Sequence, residues 1–90
     1  MTAYYRVDDR GRAYVRGTDL APVLGSRTLR ARVRRGAMPV PYGRDAGSPT
    51  WGLRMAADIV HRAGKRIPAD WIEALIRLRS LDALLRLRSL

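Results

Sequence analysis

The sequence predicts a small, mainly α-helical fold carrying one short β wing. Three observations lead there. Apolar residues recur at helical spacing in segments that each stop at a glycine: Gly25, Gly36 or Gly64. Between residues 38 and 54 the pattern changes, with three of the five prolines and three glycines set around short apolar runs. From about Ala69 onward the chain ends in a long leucine-rich segment. At 90 residues this is one domain, able to bury roughly 60–65% of its unfolded surface around a single small core.

The elements follow in chain order. "YYRV" and "RAYV", at residues 4–7 and 12–15, are β-prone runs on either side of the turn signal "DDRG", so residues 1–16 read as a marginal hairpin or a loose arm. In "GTDLAPVLG", Thr18 can cap a helix, Asp19 suits its positive end, and Pro22 is tolerated in the first turn. Leu20, Val23 and Leu24 give that helix a narrow apolar face. The next helix runs from about Ser26, its cap, to Arg35 and stops at Gly36. Leu29 and Val33 are i and i+4, and their shared face is expected to turn inward. Arg27, Ala31 and Arg34 fall opposite, flanked by Arg30 and Arg35, and the small Ala31 would allow close approach to a surface.

In "MPVPYGRDAGSPTWGLR", Val40–Tyr42 and Thr50–Arg54 are expected to pair around the loop "GRDAGSP". Trp51 and Leu53 would point in, Thr50 and Arg54 out. Pro39 and Pro41 cannot donate to a ladder, which confines the first strand to an edge of the wing, with Arg44 near its tip. "MAADIVHRAG", at residues 55–64, supplies Met55, Ala56, Ile59, Val60 and Ala63 to the core. Pro68 opens the last helix, whose first turn carries Asp70 and Glu73. "ALIRLRSL" returns as "ALLRLRSL" nine residues later, a period that does not superpose on one helical face. Trp71, Ala74, Leu78, Leu81 and Leu85 do form a 3-4-3-4 seam, widened by Leu75, Ile76, Leu84 and Leu87. Either that helix folds back on the domain, or part of it contacts another copy or another protein.

Charge narrows the function. The net charge is +10, and 17 of the 18 basic residues are arginine. Residues 26–54 hold seven arginines against the single acid Asp45, so the charge is concentrated in one segment. A compositional bias toward arginine would not choose that location, and a polyanion partner is expected, nucleic acid first. The basic helix has too little apolar surface for a membrane interface. Without cysteine the chain has no disulfide framework or thiolate metal site, and with neither a long apolar run nor a signal-peptide core it is expected to be a soluble, cytoplasmic protein.

Catalytic readings fare poorly. His61 is the single histidine and lacks a partner for a triad or a metal site. Asp8 and Asp9 suit a turn, and Tyr4, Tyr5 and Tyr14 suit packing better than a nucleophile's role. Trp51 and Trp71 read as apolar anchors rather than base-stacking platforms. The expectation is a non-enzyme with no cofactor, no metal and no small-molecule ligand.

"GTDLAPVLG", "TLRARVRRGAMPVP" and "TWGLRMAADIVHR" together resemble the winged helix-turn-helix of MerR-like regulators and, at this length, phage excisionases of the mycobacteriophage type, also called recombination directionality factors. The likeness covers roughly residues 14–63. Its most specific piece is "TLRARVRRG" before a proline-containing strand; "GSRTL" is about two residues shorter than the family's usual turn, so a tighter one is expected. The resemblance implies residues 1–16 as an arm or small hairpin, 17–66 as the DNA-binding domain and 67–90 as a C-terminal amphipathic helix. It also implies that Ser26, Arg27, Thr28, Arg30, Ala31 and Arg34 lie in or beside the major groove. Arg32 and Arg35 suit phosphates, and the wing residues Tyr42, Gly43, Arg44 and Ser48 suit the backbone or the minor groove.

Excisionases do no chemistry, so the resemblance implies a DNA-bending accessory factor that binds a phage attachment site cooperatively and directs a separate tyrosine or serine integrase toward excision. Trp71, Leu75, Leu78, Leu81 and Leu85 would then make protein contacts. The alternative is a MerR-like or Cox-like regulator that binds an inverted repeat as a dimer. A third reading, an adaptor acting only through its C-terminal helix, would tolerate charge reversal of Arg30 and Arg34.

Overall fold

The computed structural model describes the chain from Tyr4 to Arg88, with side chains as far as Arg79. Four helices pack with one four-stranded antiparallel sheet. The elements run β1 (Arg6–Val7), β2 (Ala13–Arg16), α1 (Gly17–Leu24), α2 (Ser26–Arg34), β3 (Gly43–Asp45), β4 (Ser48–Gly52), α3 (Leu53–Arg62) and α4 (Ala69–Arg88). The sheet order is β1-β2-β4-β3. The expected N-terminal hairpin forms, with Arg6 of β1 opposite Tyr14 of β2, and it joins the wing in one sheet because β2 also pairs with β4 through Val15 opposite Trp51 and Arg16 opposite Thr50.

Side-chain alternation along the sheet sets the core. Val15 and Trp51 point to the helix-covered face and are buried with Leu20 and Leu24 of α1, Leu53, Ala56, Ile59 and Val60 of α3, and Trp71 and Ala74 of α4. Tyr14, Arg16, Thr50 and Asp45 share the other face. Thr50 was expected to face solvent, and it does point away from the main core. It is nonetheless 3% exposed, because that face carries its own cover: Tyr14 and Tyr42 meet edge to face at 6.3 Å, and the Tyr14 hydroxyl donates to Asp45 Oδ2 at 2.8 Å.

Helix α1 starts two residues earlier than a Thr18 cap implies, with Arg16 in the capping position. The Asp19 carboxylate accepts the Arg16 N–H at 3.1 Å and pairs with Arg6 Nε at 3.1 Å, which holds β1, the end of β2 and the helix start together. Pro22 consequently falls in the second turn, where its missing N–H removes one bond to Thr18 in a helix only eight residues long. The turn into α2 is a single residue, Gly25, at φ 95°. A side-chain-bearing residue rarely adopts that backbone, so glycine is what allows two helices to meet with so little chain.

The hairpin lies further along than the alternating pattern suggested. Residues 40–42 are not a strand, and the expected loop "GRDAGSP" is itself the hairpin, closed by Ala46 at φ 52° and Gly47 at φ 79°. Positive φ at both central residues is what a tight type I′ connection requires. The prolines explain the shift, since Pro39 and Pro41 break the ladder while the Pro39 carbonyl accepts Trp51 Nε1–H at 2.9 Å. Leu53 and Arg54, expected in the strand, begin α3 instead. The inward face of α3 is then Leu53, Ala56, Ala57, Ile59 and Val60, which leaves Met55 off the core at 44% exposure.

Helix α4 is 20 residues long, about 30 Å of rod. Its root is fixed by Trp71 and Ala74 packing beside α3. No helix among the described residues is long and apolar enough to cross a membrane.

Candidate nucleic-acid interface

Helix α2 buries none of its nine residues. It packs against α1, with Thr28, Leu29 and Arg32 half-buried along one stripe and Leu29 against the core. Ser26, Arg27, Arg30, Val33, Arg34 and the capping residue Arg35 are exposed. The expectation that Leu29 and Val33 both turn inward is half wrong, since Val33 is 58% exposed. The packed stripe runs 28–29–32 rather than 29–33, about a fifth of a turn away at about 100° per residue. The reason is Arg32, whose long aliphatic stem can cover apolar surface and whose Nε is buried. Arg32 and Thr28, expected to contact DNA, thus lie half-buried on the packed side, and Ala31 is half-buried at the edge of the exposed face rather than at its centre.

The end of α2 is firmly made. Ala37 N–H bonds the Arg32 carbonyl at 2.8 Å and Gly36 N–H bonds Val33 at 3.1 Å, with Gly36 at φ 68°. This pair of bonds satisfies the last carbonyls and lets the chain leave sharply toward Met38, which packs on the core. Among the described residues the ion pairs take up Arg6, Arg16 and Arg62, and none involves an arginine of α2. Like charges at i and i+4, such as Arg30 and Arg34, therefore face water together without compensation.

In the hairpin, Arg44 is exposed and its Nη1 donates to the Gly47 carbonyl at 3.2 Å, which steadies it near the turn. Asp45 is held by Arg16 Nε at 3.2 Å and by the Tyr14 hydroxyl. That hydrogen bond to the carboxylate, then burial, raises the Tyr14 pKa above its ordinary value. Tyr42 is 53% exposed, and its pKa is also raised, by burial of its hydroxyl first and then by Asp8. Gly43 and Ser48 are half-buried at the two strand edges. Helix α1 packs against α2, β2 and β4 alike, so it is the element that fixes the arginine helix relative to the hairpin.

The expected protein-contact residues divide. Trp71 is fully buried in the chain's own core and offers nothing to a partner. Leu75 and Leu78 are half-buried and line a groove of about 760 Å³ between α4 and the β1–β2 turn. Leu81, Leu84, Leu85 and Leu87 lie outside the described side chains. Ile76, expected to widen the seam, lines the same groove at 62% exposure together with Ile72 at 44%, which sequence reasoning did not name. The i, i+4 spacing of Ile72 to Ile76 was the available signal. Arg10, Arg12, Arg54 and Arg79 rim the groove.

No protein-family model, curated protein or solved structure matches this chain.

Proposed function

We propose that this chain is a winged helix-turn-helix protein that binds double-stranded DNA through α2, in the role of an excisionase-type accessory factor. One observation carries the reading: α2 presents Arg27, Arg30 and Arg34 on one exposed face and has no fully buried residue. A helix of this diameter fits a major groove about 12 Å wide, where arginine can bond guanine O6 and N7 or the flanking phosphates. Arg35 at the helix end and Arg44 and Tyr42 on the hairpin suit the sugar-phosphate backbone. Bending a site of 20–30 base pairs costs on the order of 1–6 kcal/mol, which contacts between neighbouring copies would offset. The groove beside α4, apolar at Ile72 and Ile76 and rimmed by arginine, is the surface best suited to another copy or to an integrase.

A salt titration of duplex binding tests this. Five phosphate contacts predict a log-log slope of about −4.5. The Arg30→Ala/Arg34→Ala double variant should weaken binding at every sequence tried and flatten that slope. An unchanged affinity in the variant would end the reading. Footprints that extend progressively along direct repeats support the accessory factor, whereas a single dimeric footprint on an inverted repeat supports a regulator.

A further inference from the structure

We infer that Val33 reads the C5-methyl group of a thymine and so sets base preference at one position of the DNA site; the inference rests on the duplex-binding reading above. Val33 is 58% exposed in the last turn of α2. Ser26, Arg30 and Val33 are i, i+4 and i+7, one stripe along the helix, with Arg27 and Arg34 beside it. The half-buried stripe of α2 is a different one, and the Val33 side chain is not among those packed on the core.

The chemistry of that face is otherwise uniform. Guanidinium groups donate hydrogen bonds to guanine edges and to phosphates, and none of them offers a surface for a methyl group. Seen from the major groove, adenine, guanine and cytosine present only donors and acceptors, whereas thymine adds a methyl. Val33 is the one large apolar side chain on the exposed face of α2, and its branched Cβ holds it in essentially one rotamer on a helix. A pre-set apolar knob amid arginines matches the single apolar feature of the groove. Coverage of the valine by that methyl removes from water surface that the folded chain leaves open.

Uracil in place of thymine keeps the base pair and deletes only the methyl, which makes the test direct. A duplex is selected from a randomised pool with the full chain, and each thymine is then replaced singly. Wild type should lose roughly fourfold in affinity at one thymine per bound copy, the worth of one buried methyl. Val33→Ala, which stays folded because the site is exposed, should bind the thymine duplex more weakly and no longer distinguish it from the uracil duplex at that position. Val33→Ile should keep the discrimination. If uracil is neutral everywhere, or if Val33→Ala discriminates as wild type does, the inference fails while duplex binding stands. Loss of all salt-sensitive duplex affinity in wild type would instead remove both.

Discussion

Helices α2 and α3 are nearly equal in length, nine and ten residues, and they solve opposite problems. Helix α3 buries Leu53, Ala56, Ala57, Ile59 and Val60 and is held by its whole inner face. Helix α2 buries none and is held by its ends: a one-residue glycine turn before it, a closed pair of backbone bonds after it, and Leu29 in between. Ordering a helix that carries like charges on one side and little apolar surface on the other is unfavourable in isolation. The contrast teaches that the domain uses α1, α3 and the sheet for stability and leaves α2 as surface.

One substitution made in both helices sharpens this contrast most. Val60→Ala, at a fully buried site in α3, should cost about 2–3 kcal/mol of unfolding free energy. Val33→Ala in α2 should change stability by less than about 0.5 kcal/mol, as an exposed position does. Equal costs in denaturant titrations would break the distinction. Next in size is Asp19→Ala, which removes both the cap on α1 and the ion pair to Arg6. Because α1 is what α2 leans on, a loss of about 1–2 kcal/mol is expected, accompanied by weaker protection of α2 amides in hydrogen exchange. The smallest effect is Arg30→Ala, which relieves a like-charge pair with Arg34 and should raise the unfolding free energy slightly, by about 0.2–0.5 kcal/mol at low salt.

Much of this architecture was legible in the residues. The positions of α1, α2 and α4, the glycine stops and the core roles of Leu20, Leu24, Trp51, Ile59 and Val60 follow from spacing; the expected caps do not hold, since Thr18 and Ser26 lie inside their helices, Asp19 makes the cap on α1, and Gly25 precedes α2. What misled was local. A proline pair beside a valine and a tyrosine looked like an edge strand, yet the backbone-fixing turn was the plain pair Ala46-Gly47, where an alanine takes a left-handed conformation that its type rarely adopts. On α2, counting only aliphatic side chains as packers placed Val33 inside and Arg32 outside. The long stem of an arginine competes for that place, and hydropathy does not record it. The covered outer face of the sheet was invisible because Tyr14, Tyr42, Asp45 and Arg16 come together across strands, not along them.

The pairing of β2 with β4 has a consequence for shortened forms of the chain. Beyond helping to build the sheet, β2 shields the backbone donors and acceptors on one flank of β4. A version starting at Gly17 would bare that flank as an open template for strand addition from a neighbouring molecule. Truncation at the amino end is therefore expected to show itself first as loss of solubility through intermolecular β pairing, before any change at the arginine helix.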